Sequence, residues 1–310
     1  MIALNNIELI SGVLFVEVTN ACNYRCQHCY LGELPTLSNE SVRLTNILTT
    51  IKHFEEMGIR EIRFTGGEPL ISSALARLIT FCSAHNIQYT IVSNGSGVRP
   101  SAALALRRYK PRIIWVSLYG NTPILHDNMT ASVGSFRRLQ KTVGHLRADG
   151  IQCGVHVVVS PQLMGAIGDV LDFAFQELGV SEAKCIPVQL AGSVIMARQR
   201  LILTCSEVRN ARSQIIAWAR KHPERKIRTA GRLVRDSALR TGCLFDRRVF
   251  LTINHLGKTS PCCLLMHNKE WLFNSAADAL TAARQITTSK LPCNGNKRGV
   301  CPLLLDNVVS

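Results

Sequence analysis

An α/β fold is what this sequence predicts: six parallel βα units closing part of a barrel, with a small C-terminal domain appended. Three observations predict it. Strand-like and helix-like patterns alternate over the first two-thirds of the chain at the spacing of βα units. At 310 residues the chain can bury a full core. After about residue 200 the alternation stops and a cysteine-bearing stretch of hairpin character follows, so the domains are expected at 1–200 and 201–310.

The strands are expected over residues 13–18, 61–65, 88–93, 112–117, 153–159 and 183–186. Between them apolar residues recur at helical spacing. Ile47, Ile51 and Phe54 precede Gly58; Leu75, Leu78, Ile79 and Cys82 form a second face; Phe136, Leu139, Val143 and Leu146 a third; Val170, Leu171, Phe173 and Leu178 a fourth. In such a sheet ligands bind at the carboxyl ends of the strands. Further on, Thr204 to Glu207 has the form of a capping box, and Val208, Ala211, Ile215 and Trp218 continue one helical face up to Pro223. A basic connector follows, then a strand over 249–253, a turn at Asn254 to Gly257, and a returning strand over 258–262.

Composition narrows the setting. The first residues lack the basic region and apolar stretch of a secretory signal, and no run of about eighteen apolar residues occurs, so a cytoplasmic protein without membrane contact is expected. Twelve cysteines in that compartment point to ligands, reactive thiols or core residues rather than disulfides. The net charge is +15, and residues 181–250 hold 15 basic against 5 acidic side chains. Such a field attracts an anionic partner, or else keeps a helix face solvated. No aromatic residues interleave regularly with these charges, which argues against a single-strand nucleic-acid platform.

Cys22, Cys26 and Cys29 place three thiols in eight residues. Three thiolates leave a four-coordinate site one ligand short, which suits an iron-sulfur cluster with one open iron. A structural zinc would need a fourth ligand, and His28, between Cys26 and Cys29, is poorly placed to supply it. The second motif is Gly66-Gly67-Glu68-Pro69, directly after a strand. Two glycines there let backbone approach a ligand closely, and Glu68 can accept from an ammonium group. Ser93-Asn94-Gly95 also follows a strand, on the same rim.

The Cys-x3-Cys-x2-Cys spacing with Gly-Gly-Glu-Pro downstream resembles the radical S-adenosylmethionine (SAM) enzymes. The resemblance implies a radical SAM barrel, a [4Fe-4S] cluster on Cys22, Cys26 and Cys29, and SAM whose amino group meets the backbone of Gly66, Gly67, Glu68 and Pro69. It places Ser93 and Asn94 on the same rim, sets the backbone of His28 at the adenine edge, and sets Ser117 beside the ribose. Ser117-Leu118-Tyr119-Gly120 stands where these enzymes often have Ser-Leu-Asp-Gly, so Tyr119 departs from the pattern. His126-Asp127 and Gly134-Ser135-Phe136 match its peptide-modifying branch. The implied chemistry is one-electron cleavage of SAM to a 5′-deoxyadenosyl radical that abstracts hydrogen, fed by an external one-electron reductant of the flavodoxin or ferredoxin type.

The stretch Cys243-x13-Gly257-x4-Cys262 looks like the start of the auxiliary-cluster domain called SPASM, or its shorter form, Twitch. Cys243, Cys262, Cys293 and Cys301 can complete one auxiliary [4Fe-4S] cluster without an open iron; a tetrathiolate zinc is the structural alternative. Cys82, Cys153, Cys185, Cys205 and Cys263 remain, and Cys185 and Cys263 are candidate hydrogen donors to a substrate radical.

Modification of a ribosomally made peptide, by oxidative crosslinking or a related step, is the favoured reading. With no room for a leader-binding domain ahead of Val13, the peptide is expected to arrive on a separate leader-binding protein or to bind the basic region directly. The alternative is Twitch-type oxidation or rearrangement of an anionic small molecule in antibiotic or cofactor biosynthesis. A zinc-bearing nucleic-acid-binding protein would explain charge and cysteines but leaves Gly66 to Pro69 unexplained.

Overall fold

The structure, a computed structural model, describes residues 3–4, 7–9, 13–32, 41–188, 193–194, 200–229, 248–249, 251–261, 272–275 and 277–279. In chain order its strands are β1 (Ala3–Leu4), β2 (Ile7–Leu9), β3 (Val13–Thr19), β4 (Glu61–Gly66), β5 (Gln88–Ser93), β6 (Ile113–Leu118), β7 (Cys153–Val159), β8 (Glu182–Pro187), β9 (Lys226–Thr229), β10 (Arg248–Val249), β11 (Thr252–Ile253) and β12 (Thr259–Ser260). The helices are α1 (Leu44–Glu56), α2 (Leu75–Ala84), α3 (Pro100–Arg108), α4 (Pro123–Thr130), α5 (Ser135–Ala148), α6 (Ile167–Asp172) and α7 (Cys205–Lys221). A π-helical turn over Phe173–Glu177 extends α6.

β3 to β8 are the six expected strands. They run parallel in sequence order within a nine-stranded sheet ordered β12-β11-β3-β4-β5-β6-β7-β8-β9. The chain alternates faces. Leu14, Val16 and Val18 of β3, Ile62 and Phe64 of β4, Ile114, Val116 and Leu118 of β6, and Val155, Val157 and Val159 of β7 join one hydrophobic core with the helices. The expected helix stripes supply the other side of that core: Ile47, Ile51 and Phe54 from α1, Leu75, Leu78, Ile79 and Cys82 from α2, and Phe136, Leu139, Val143 and Leu146 from α5. At α7 the Thr204 hydroxyl accepts from the Glu207 N–H and the Glu207 carboxylate accepts from the Thr204 N–H, the reciprocal capping box.

Three elements add to that expectation. α3 and α4 each open on a proline at the first turn, where the missing N–H costs nothing. β9, inside the basic connector, pairs in parallel with β8 and extends the sheet. The hairpin expected around Asn254 to Gly257 is present as β11 and β12, shorter than predicted. It adds to the opposite edge, because β11 runs parallel to β3 and the Phe15 N–H donates to the Leu251 carbonyl at 3.0 Å. Gly257 sits at φ 81°, and a Cβ there would stand 2.4 Å from the Asn46 Cβ on α1, so a glycine lets this turn dock on the barrel. Among the described residues no helix is long and apolar enough to cross a membrane.

Candidate functional site

Strand β3 ends at Thr19, and the loop that follows carries Cys22, Cys26 and Cys29 over the carboxyl rim. The neighbouring α4 end pins it: the Arg25 and Gln27 N–H groups donate to the Thr130 and Met129 carbonyls at 3.3 and 2.9 Å. Inside the loop the Cys29 N–H donates to the Cys26 carbonyl at 3.1 Å, and the Arg25 guanidinium binds the Cys22 and Tyr24 carbonyls, both at 2.9 Å. Arg138 from α5 completes the anchor, lying over the Tyr24 ring and donating to its hydroxyl at 3.0 Å.

Burial pushes all three thiols up, Cys22 to about 11, with Cys26 further raised by the neighbouring Cys22 and Cys29. A group held by them would have to bring its own positive charge to make thiolates of them. Among the described residues no three His, Cys, Asp or Glu side chains are arranged to hold a single metal ion. A cluster that gives each thiolate its own iron does not ask its ligands to meet at one point, so this donor set fits an iron-sulfur cluster.

The Gly-Gly-Glu-Pro segment, at the end of β4, is hydrogen-bonded onto the start of that loop. The Gly67 N–H donates to the Thr19 carbonyl at 2.9 Å and the Glu68 N–H to the Ala21 carbonyl at 3.0 Å. Both glycines are required by this approach rather than only by a ligand. Gly66 has φ 120°, and a Cβ on Gly67 would lie 1.9 Å from the Ala21 carbonyl oxygen.

Glu68 is wholly buried and does not present its carboxylate to open space. It accepts from the Leu70 N–H at 3.0 Å, the Ser93 hydroxyl at 2.7 Å and the Asn94 N–H at 2.5 Å, tying the end of β4 to that of β5. Burial raises it to about 7 against those hydrogen bonds. Asn94 continues the network, its amide donating to the Cys22 sulfur at 3.6 Å and to the Asn23 side chain at 3.1 Å. Pro69 opens a short 3-10 turn behind them.

Ser117 lies near the end of β6. Tyr119, which follows β6, is buried against the cysteine loop through its ring contact with His28, so the residue that departs from the usual aspartate links strand to loop. Its ring meets His28 at 4.7 Å and His126 at 5.1 Å, and its N–H donates to His126 Nδ1 at 3.4 Å. Sequence reasoning missed this bridge; its signal was the departure at Tyr119 itself. His28 Nδ1 and His126 Nε2 are buried without a hydrogen-bond partner among the described residues, and burial pulls both imidazoles down to about 4.

Asp127 has a structural task. It accepts from the Gly134 N–H at 2.6 Å, the Ser135 hydroxyl at 2.7 Å and the Phe136 N–H at 2.8 Å, capping α5 across a turn. Burial works to raise its carboxyl, but these three donors hold it below the ordinary aspartate value. Asp127→Ala should cost about 1–2 kcal/mol, the worth of a helix cap, measured as a lower urea midpoint at pH 7. A depressed carboxylate stabilises above its unfolded pKa of about 3.9 and loses that contribution as pH falls through the folded value. Wild type and variant should therefore converge in strongly acid buffer.

Cys185 is placed differently from the expectation. β8 turns it outward with Ala183 into the helix-packed core, wholly buried, because a residue of that parity faces the helices and not the lumen. Cys82 and Cys153 share that core. Cys243, Cys262, Cys263, Cys293 and Cys301 lie outside the described residues.

A parallel partial barrel carrying a three-cysteine loop bound to a glycine turn on its carboxyl rim defines a class of cluster-dependent α/β enzymes. The model of the radical SAM superfamily matches residues 16–174, and the chain belongs to that superfamily. It is similar to the AdoMet-dependent heme synthase of Oleidesulfovibrio alaskensis, with 26% identity over 46% of this chain and 37% of that one. It is also similar to the PqqA peptide cyclase of Ruegeria pomeroyi, with 24% identity over 66% of this chain and 54% of that one. The matches thus span about half or less of these relatives' length. Streptococcus suis SuiB bound to its precursor peptide SuiA shares the fold, with TM-score 0.74, 16% identity, and coverage of 96% of this chain and 70% of that one. The family implies a [4Fe-4S] cluster and SAM.

Proposed function

We propose that the chain is a radical SAM enzyme that modifies a ribosomally made peptide, with residues 1–200 as catalytic barrel and 201–310 as a Twitch- or SPASM-like domain holding an auxiliary [4Fe-4S] cluster. The observation that carries the barrel's part is the pair of hydrogen bonds from Gly67 and Glu68 to the cysteine loop, which join the two motifs into one rim. On this reading Cys22, Cys26 and Cys29 hold the first cluster, and the turn of Gly66, Gly67, Glu68 and Pro69 takes the amino end of SAM. Ser93 and Asn94 brace that turn through Glu68, and Ser117 and the backbone of His28 line the nucleoside end. When bound, cluster and SAM supply a 5′-deoxyadenosyl radical after one electron from an external reductant. The chain's own work is then positional: the pinned loop and the buried carboxylate keep the rim rigid, so a target carbon can be held at a fixed place and water kept out.

Similarity to a peptide cyclase over 66% of the chain supports a peptide substrate, delivered by a separate leader-binding protein or bound directly. The heme synthase similarity favours the second reading, oxidation or rearrangement of an anionic small molecule. Cys243, Cys262, Cys293 and Cys301 are the proposed auxiliary ligands, with Cys263 the remaining candidate hydrogen donor. The chain with Cys22, Cys26 and Cys29 replaced together should still reconstitute about four irons, one cluster; zinc or no metal would remove the auxiliary cluster. A product made in D2O should lose two hydrogens and carry no deuterium at the attacked carbon. Unchanged composition with one deuterium, lost in Cys263→Ala, would instead mean epimerisation.

A further inference from the structure

The inner face of the sheet, opposite the helix-packed core, is strongly basic on one side. Side chains alternate across each strand, so Arg63 of β4, His156 of β7, Lys184 of β8 and Arg228 of β9 all face away from the strand residues buried against helices. Register places them together. His156 pairs with Lys184, Lys184 pairs with Arg228, and on its other side His156 pairs with Ser117. Arg63, three strands from His156, is nonetheless close enough that its charge acts on both His156 and Lys184, which is what two walls facing across a lumen produce. The His156 ring is fixed by stacking on Trp115 at 4.8 Å, 18° from parallel, in space left by Gly154.

Two of these residues, Arg63 and Lys184, are not neutralised by a carboxylate of this face, whereas Arg228 pairs with Glu182 at 3.4 Å. The carboxylates of this face have their ion pairs with other residues than Arg63 and Lys184: Glu17 with His255 at 2.8 Å, Glu61 with Arg112 at 2.6 Å, and Glu182 with Lys226 and Arg228 at 3.2 and 3.4 Å. Among the described residues Arg63 and Lys184 have no ion pair; Arg63 lies over the Phe15 ring and donates to the Thr90 hydroxyl at 3.3 Å. Burial pulls both below their ordinary values; at Arg63 the attraction of Glu61 works against it and Arg112 adds to it, and at Lys184 repulsion from Arg63 and Arg228 adds to it. Both are half-buried, so they border space that a ligand can reach.

We propose that Arg63 and Lys184, with the stacked His156, form an anion subsite that anchors a carboxylate or phosphate group of the substrate next to the Ser117 wall. The assignment rests on the reading that the lumen is the substrate chamber. It also gives a role to one member of the basic excess in residues 181–250: Lys184 is half-buried on this face rather than spread over a solvated one. On the peptide reading the anchored group is an acidic side chain or a terminal carboxylate; on the other it is the small molecule's own anion.

The test is calorimetric titration of the anaerobically reconstituted full chain with four probes: glutarate, inorganic phosphate, a short blocked peptide with one glutamate, and its glutamine counterpart. At least one anionic probe should bind, and its affinity should fall about ten- to a hundredfold in Arg63→Met and Lys184→Met, the size of a lost charge-assisted bond. Lys184→Arg should restore it. Because Lys184 meets only repulsive charges and has no ion pair among the described residues, Lys184→Met should not melt below wild type, which separates lost binding from lost folding. If no anion binds, or if the Met variants bind as wild type does, the subsite is wrong. Binding of glutarate or phosphate without the glutamate peptide supports the subsite and overturns the peptide reading. Binding of the glutamate peptide but not the glutamine peptide supports both.

Discussion

Replacing any one of Cys22, Cys26 or Cys29 by alanine is expected to reduce formation of 5′-deoxyadenosine from SAM to background under anaerobic, reducing conditions. The reason is donor arithmetic. Each thiol is held in a loop whose backbone is bonded to α4, so no neighbouring group can swing in as a substitute ligand. His28 lies between Cys26 and Cys29 in the loop, but its ring is packed against Tyr119. Two thiolates would leave the cluster half supported, and iron content should fall with activity. The fold should survive, since the sheet and its core are built from other residues. A variant that makes the product at near wild-type rate would withdraw the cluster from this loop.

Much of the barrel was legible in the sequence because its strands are covered on one face by helices and alternate cleanly. Glu-Ile-Arg-Phe-Thr at β4 shows the pattern: Ile62 and Phe64 are fully buried, while Arg63 faces the lumen. The stripes on α1, α2, α5 and α7 were equally plain because each buries one apolar line. β9 was not legible. Lys226 and Arg228 alternate with half-buried residues, a pattern also suited to a loop, and only pairing with β8 makes it a strand. α3 buries only Ala102 and Leu106 and so leaves little periodic signal beyond its proline.

The site divides in the same way. Cysteine spacing and the glycine turn identified the rim, but their mutual contact is a tertiary fact. Glu68 shows the gap best: a carboxylate after two glycines reads as a ligand acceptor, whereas three hydrogen bonds from Leu70, Ser93 and Asn94 engage it. Cys185 shows another. Position at a strand end does not say which face a thiol takes, and parity on β8 sends it into the core. The basic excess was readable as charge, but that Lys184 belongs to the inner face needed register.

Gly67→Ala should be nearly as damaging as loss of a cysteine, although it removes no chemical group. A Cβ at this position would stand 1.9 Å from the Ala21 carbonyl oxygen and 2.4 Å from its carbon, both backbone atoms that no rotamer change can move. The loop must retreat, which breaks the donation from Gly67 to Thr19 and from Glu68 to Ala21 and separates the turn from Cys22. A displacement on the order of 1 Å costs about a hundredfold when reacting groups must be held in line. SAM cleavage should therefore fall by at least that factor, with the melting temperature changed far less than the rate. Gly144→Ala is the matched control, because that glycine lies on α5 with nothing within 4 Å of its added Cβ, and it should retain full activity while gaining up to about 1 kcal/mol of stability. Near wild-type cleavage by Gly67→Ala would show that the rim tolerates the two motifs moving apart, and the contact between them would then lose its place as the organising feature of the site.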